Sequence, residues 1–286
     1  MPVPDPLVWL RSTPGRAAGR SDTVPDVSLR TAPWPPGVPC WAEVDVGDLD
    51  RCTAFYSAVL GWSFTDHGAV DHHQAVARHA GRPAAGLGST GAAAPPAWTL
   101  YFATDDADAA CVRVEELGGT LLYGPEDVGR AGRLFVAVDL GGAVFGGWEY
   151  DQHIGAGIVN EPGALVWADS ASADPAQSRS FYRSLFGFRY ESIPEAGPEY
   201  TTFYGQDPFP LGGIGSAGDE LPHWLVYFGV TDAHASVDAA LGAGGGVARA
   251  VRDSPYGRSA VLLDPAGARF AVIETDPATQ PDRSGP

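Results

Sequence analysis

Two strings in this chain, Trp41-Ala42-Glu43 and Trp167-Ala168-Asp169, set an indole and a carboxylate two residues apart. In a β-strand, residues i and i+2 share a face, so each string would present an aromatic platform with an acid beside it. An aromatic ring offers a ligand contact area and stacking of about 0.5–1.5 kcal/mol per pair beyond simple burial. The acid can accept hydrogen bonds or act as a general base, provided a donor offsets the cost of burying it. The same alternation puts Thr99, Tyr101 and Trp148 on the face of Trp41 and Glu43. It puts Leu225, Tyr227, Arg269 and Ile273 on the face of Trp167 and Asp169. The catalytic candidates are therefore Glu43 and Asp169 as bases, with Tyr101 and Tyr227 as acids, oxyanion donors and partners of the carboxylates. Trp41, Thr99, Trp148, Trp167, Leu225 and Arg269 complete the ligand-binding set. The competing assignment lets the tryptophans fill a core and leaves the acids at a wet rim.

These strings are copies of one another. Trp41-Ala42 returns as Trp167-Ala168, Phe55-Tyr56 as Phe181-Tyr182, Trp98 as Trp224 and Gly118-Gly119 as Gly244-Gly245, all shifted by 126 residues. A repeat of this length means two related domains, since solenoid units run nearer 20 to 50 residues. The expected organisation is an extended arm over 1–36, a first domain over 37–150, a linker over 151–163, a second domain over 164–276 and a polar tail over 277–286. Trp9 and Trp34 are the arm's expected docking points.

Within the first repeat, alternation from Trp41 to Val46 predicts a strand. Asp48 then caps a helix whose apolar positions Leu49, Cys52, Phe55, Val59 and Leu60 keep helical spacing up to Gly61. Short strands follow near 63–66, 73–78 and 85–88. The order recurs with a strand over 98–103, a helix over 106–117 and strands near 121, over 134–138 and over 144–150. Each repeat thus holds two βαβββ modules, and the chain holds four. The fold class is α+β, built as two domains with mixed sheets.

The string Val46-Gly47-Asp48-Leu49-Asp50, then Phe55-Tyr56 and Leu60-Gly61-Trp62, resembles the vicinal oxygen chelate superfamily, which includes glyoxalases, extradiol dioxygenases and bleomycin-binding proteins. Asp174, Phe181-Tyr182 and Phe186-Gly187-Phe188 repeat the pattern, and Asp264-Pro265-Ala266-Gly267 is similar to the family's closing turn, with Asp139-Leu140-Gly141-Gly142 a looser copy. The likeness is greatest to two-domain actinobacterial glyoxalase-like members. It implies cupped sheets with the substrate inside each cup. It also implies metal positions, which fall here on Trp41, Thr99 and Gly146 in the first domain and Trp167, Leu225 and Ala271 in the second. No such trio is a ligand set for a divalent ion, which needs several N or O donors converging on one point. No metal site and no cofactor are expected. His67, His72, His73 and His79 crowd one region without counterparts in the second repeat, and His153, His223 and His234 lack partners at ligand spacing.

A net charge of −17 and a pI near 4.6 argue against nucleic acid and anionic membrane as partners. All 18 basic residues are Arg, a bias that GC-rich codons produce. Cys40, Cys52 and Cys111 form no CxxC or Cys/His cluster, so neither a disulfide framework nor a zinc site is signalled. The apolar run Leu7–Leu10 is too short for a signal peptide, and a cytoplasmic protein is expected. The leading expectation is a metal-independent protein binding a hydrophobic, aromatic small molecule in one or both cups, sequestering a natural product (antibiotic resistance) or carrying a pathway intermediate of secondary metabolism. The alternatives are a metal-independent cyclase, lyase or hydrolase using a pocket carboxylate, and a metal enzyme with displaced ligands. With four modules already in one chain, it could be a monomer or a homodimer.

Overall fold

The computed structural model describes residues 29–66, 73–89, 95–254 and 256–275. The first domain runs β1 (Pro39–Asp45), α1 (Leu49–Leu60), β2 (Ser63–Asp66), β3 (His73–His79), β4 (Arg82–Ser89), β5 (Trp98–Ala103), α2 (Ala107–Glu116), β6 (Thr120–Val128), β7 (Gly132–Val138) and β8 (Val144–Tyr150). The second repeats it as β9 (Leu165–Ser172), α3 (Pro175–Phe186), β10 (Arg189–Ser192), β11 (Thr201–Tyr204), β12 (Pro210–Ser216), β13 (His223–Val230), α4 (Ala233–Gly242), β14 (Gly246–Ser254), β15 (Gly257–Leu263) and β16 (Arg269–Glu274). Each domain is one eight-stranded mixed sheet, ordered β2-β3-β4-β1-β5-β8-β7-β6 and β10-β11-β12-β9-β13-β16-β15-β14. In both, the first strands of the two modules meet antiparallel at the centre, pairing Trp41 with Tyr101 and Trp167 with Tyr227.

The helices start where a side chain can take the free N–H groups of the first turn. Asp48 accepts from the Arg51 N–H and Asp174 from the Gln177 N–H. Asp106 and Asp232 do the same for α2 and α4. Gly61 and Gly187 close α1 and α3 at φ +68° and +75°, the left-handed conformation that glycine adopts without a Cβ penalty.

Strand alternation divides each sheet into two unlike faces. On β5, Trp98, Leu100 and Phe102 point toward the helices, while Thr99 and Tyr101 occupy the other face. On β13, Trp224, Val226 and Phe228 point inward, with Leu225 and Tyr227 outward. The helix-bearing faces of the two domains pack against each other. Trp98 lies 5.1 Å from Phe228 and Phe102 lies 5.5 Å from Trp224, ring centre to ring centre. One continuous core therefore joins the domains, and the two helix-free cups open away from it.

Each domain also reaches across with its first helix. Phe55 of α1 packs edge-on against Phe270 of β16, and Phe181 of α3 against Phe145 of β8. Space for these rings comes from the twin glycines after the other domain's second helix. A Cβ at Gly119 would sit 3.0 Å from the Phe181 ring, and one at Gly245 would overlap Phe55. The repeated Gly-Gly pairs thus serve close approach between domains.

The joining segment is laid down along both domains. Gly157 donates to the Pro83 carbonyl, Ile158 bridges Leu29, and Pro162 bridges Gly229. Trp34 is docked as expected, its indole N–H donating to the Ala156 carbonyl with the Arg30 guanidinium over its ring. Residues 1–28 of the arm, Trp9 among them, lie outside the described residues, as do His67 and His72.

Candidate functional site

The first cup is filled. Trp41, Tyr101 and Trp148 are at most 6% exposed and pack with Val76, Val128, Leu134 and Val136. The joining segment supplies His153, whose ring stands edge-on to Trp41 at 4.6 Å and 5.8 Å from Trp148. Trp148 donates its indole N–H to the His153 carbonyl at 2.8 Å, and Ala156 donates to the Cys40 carbonyl at 2.7 Å. Gly155, at φ +92°, allows this approach, because a Cβ there would overlap Cys40.

Glu43 projects into the polar end of this cup, half-buried and paired in register with Thr99. Gly86 on β4 leaves room for it, since a Cβ would stand 2.9 Å from the carboxylate. Burial raises the Glu43 carboxyl above its ordinary range; a hydrogen bond from the Trp41 indole opposes the shift, and the charge of Asp45 adds to it. The Tyr101 hydroxyl is pushed well up, first by burial and then by the charge of Glu43.

The second cup is cut from the same pattern with smaller fillings. At the register positions of Trp148 and Leu134 stand Ile273 and Ser259. Trp167, Asp169 and Tyr227 remain half-buried. Asp169 is the hub. Its Oδ1 accepts from the Trp167 indole N–H at 2.8 Å and the Tyr200 hydroxyl at 2.7 Å, and its Oδ2 from the Tyr227 hydroxyl at 2.9 Å. Gly213 makes this convergence possible, because a Cβ would overlap both Tyr200 and Asp169. Burial, reinforced by the charge of Asp169, drives both tyrosine hydroxyls well above their usual value, so both stay protonated donors. Beneath lies an apolar floor of Leu225, Val261 and Ala271. Facing Tyr227 from β14 is the half-buried Arg249, whose charge and hydrogen bond act on the Tyr227 hydroxyl and whose Nε is buried with no partner.

Sequence spacing brings together Trp41, Glu43, Thr99, Tyr101 and Trp148 in one cup and Trp167, Asp169, Leu225 and Tyr227 in the other. Arg269 shares the strand face of Ala271 but sits exposed at its end, ion-paired to Glu220 at 2.5 Å. Strand alternation does not reach two further residues of this cup, Tyr200 and Arg249. Tyr200 precedes β11 in a connection that carries no periodicity. Arg249 lies on β14, where register shifts on both sides break a count by twos. Its register partner Val261 is the counterpart of Val136, which pairs with Tyr123, so the repeat itself marks Arg249 as an arginine in an aromatic's place.

Neither cup floor fits a divalent ion. Trp41, Thr99 and Gly146, like Trp167, Leu225 and Ala271, offer at most one oxygen donor per trio. Among the described residues no group of three His, Cys, Asp or Glu side chains converges on a point. His79 lies against Gly163 at the joining segment. Also among the described residues, no helix is long and apolar enough to cross a membrane.

Known proteins agree with this architecture. The family model described as "Glyoxalase-like domain" matches twice, over residues 41–146 and 166–273. The chain is 36% identical over 259 residues to the anthracycline biosynthesis protein DauV of Streptomyces strain C5, covering 84% of this chain and 94% of that one. The anthracycline biosynthesis protein DnrV of Streptomyces peucetius matches at the same identity and coverage. Among solved structures, the Mn(II)-bound glyoxalase from Novosphingobium aromaticivorans superposes with a TM-score of 0.60 at 14% identity, over 87% of this chain and 91% of that one, a likeness of fold alone. With both halves matched and the double-module sheet repeated in each, this chain belongs to the glyoxalase-like domain family of the vicinal oxygen chelate superfamily.

Proposed function

We infer that this protein binds a hydrophobic, aromatic small molecule of secondary metabolism in its second cup, without a metal, and that the first cup is structural. The observation behind this reading is the contrast between twins. Trp41, Tyr101 and Trp148 are sealed under His153, whereas Trp167, Tyr200 and Tyr227 are half-buried around Asp169 and above an apolar floor. A wall of aromatic rings with a few fixed polar groups is what a ligand pocket requires. The two Streptomyces relatives named for anthracycline biosynthesis support a polycyclic aromatic ligand. Asp169 already accepts from three donors, which suits a carboxylate that holds an indole and two tyrosines in place better than one that abstracts a proton. A cytoplasmic monomer, carrying or sequestering this ligand, completes the proposal.

The test is titration of the purified protein with a hydroxylated anthraquinone, following tryptophan fluorescence and analysing the recovered compound. Saturable quenching whose midpoint moves to higher ligand concentration in Trp167→Ala, with the compound returned unchanged, is the expected result. Conversion of the compound, or a quenching midpoint unchanged in Trp167→Ala, would overturn it.

A further inference from the structure

Arg249 is the feature of the second cup that simple aromatic binding leaves unused. It is half-buried on β14, beside the Tyr227 hydroxyl, and above Val261 on the neighbouring strand. Among the described residues no carboxylate forms an ion pair with it, although Arg133, Arg258 and Arg269 all find acidic partners on the surface. Its Nε is buried with its hydrogen unclaimed. A buried N–H left without an acceptor costs about 1–3 kcal/mol, so such a group is a place where a ligand can gain affinity. The donors gathered on Asp169 are committed: Trp167, Tyr200 and Tyr227 all give it their hydrogens. Arg249, beside them, keeps a hydrogen to give, and it carries a positive charge in a chain of net charge −17.

We propose that Arg249 makes the second cup selective for aromatic anions, a carboxylate or phenolate oxygen pairing with the guanidinium while the rings lie over Trp167 and the floor of Leu225, Val261 and Ala271. This rests on the second cup being the ligand site. A guanidinium recognises planar oxyanions through paired N–H donors, and a partly dry setting strengthens the contact. The chain Arg249–Tyr227–Asp169 fixes the guanidinium from behind, so the ligand would meet a pre-positioned donor.

Two probes of the same ring system separate charge from stacking: 3-hydroxy-2-naphthoate and its neutral carboxamide, measured by calorimetry on the full chain. The wild type should bind the carboxylate about tenfold or more tighter than the amide. Arg249→Gln should bring that ratio close to one while the amide affinity changes by less than about threefold, and Arg249→Lys should restore part of the ratio. A ratio unchanged in Arg249→Gln, equal binding of the two probes to the wild type, or no binding of either would overturn the anion proposal. Failure of the site reading has a different signature: both probes would bind, and Trp167→Ala would leave both affinities as they are. Near-ultraviolet circular dichroism of each variant shows that the cup is still folded.

Discussion

Tyr56, on the first helix of the first domain, donates its hydroxyl to Asp264, in the closing turn of the second domain, at 2.9 Å. The counterpart Tyr182 likewise bonds Asp139 in the closing turn of the first. Each aspartate also ties its own turn, Asp264 accepting from the Ala266 and Ala268 N–H groups and Asp139 from those of Gly141 and Ala143. Trp98 and Trp224 complete the pair by donating to the two tyrosine oxygens. The repeated Phe-Tyr and the repeated turn aspartate are thus the two ends of one reciprocal clasp between domains.

Removing either hydroxyl leaves a buried carboxyl short of a donor. Tyr56→Phe and Tyr182→Phe should each destabilise the protein by about 1–3 kcal/mol in denaturant unfolding, with little change in ligand affinity. Loss of ligand binding at full stability would contradict the clasp's structural role.

Burial raises the Glu43 carboxyl above the 4.5 ordinary for the group, so the folded protein holds a proton that the unfolded chain releases. The corresponding stability is complete below the unfolded value and is lost as pH rises through the raised one. Asp139 and Asp264, also raised by burial, act in the same direction. Glu43→Gln should therefore flatten the fall in melting temperature between pH 5 and pH 8 and raise the melting temperature at pH 8. A steeper fall in the variant would show that Glu43 is stabilised in its charged form.

The twin tryptophans should behave differently. Trp41→Ala hollows out a filled cup and should destabilise the fold by about 3–5 kcal/mol while sparing ligand affinity. Trp167→Ala should weaken an aromatic ligand by about 1–3 kcal/mol through lost contact area, at smaller cost to stability. Calorimetry and thermal melts on both variants distinguish this from two equivalent sites.

Asp169→Asn should change affinity alone. In a binding protein the carboxamide loosens Tyr200 and Tyr227 and shifts the dissociation constant. In an enzyme with Asp169 as base, turnover would vanish with affinity nearly intact. Product analysis beside calorimetry reads the difference.

Protein purified without chelator should carry well under one equivalent of iron, zinc or manganese by plasma mass spectrometry, and EDTA should leave its melting temperature and ligand affinity unchanged. One tightly held equivalent would overturn the metal-free reading.

The sequence by itself determined the four modules, because each is written in local signals. Alternation runs through Trp41–Val46, Asp48 and Asp174 cap helices three residues before the N–H groups they accept, and Gly61 and Gly187 stop them. It also determined which tryptophan stands beside which carboxylate, since two residues apart on a strand means the same face. What only the tertiary structure decided depends on contacts between distant residues. His153 seals the first cup by meeting Trp41, which precedes it by more than a hundred residues, and no periodicity encodes where a joining segment will lie. Tyr200 reaches Asp169 from a connection, and Arg249 turns toward Tyr227 from a strand whose bulges reset the alternation. Tyr56 bonds the aspartate of the other domain because the helices of both lie between the sheets, where each buried hydroxyl must find an acceptor across the joint.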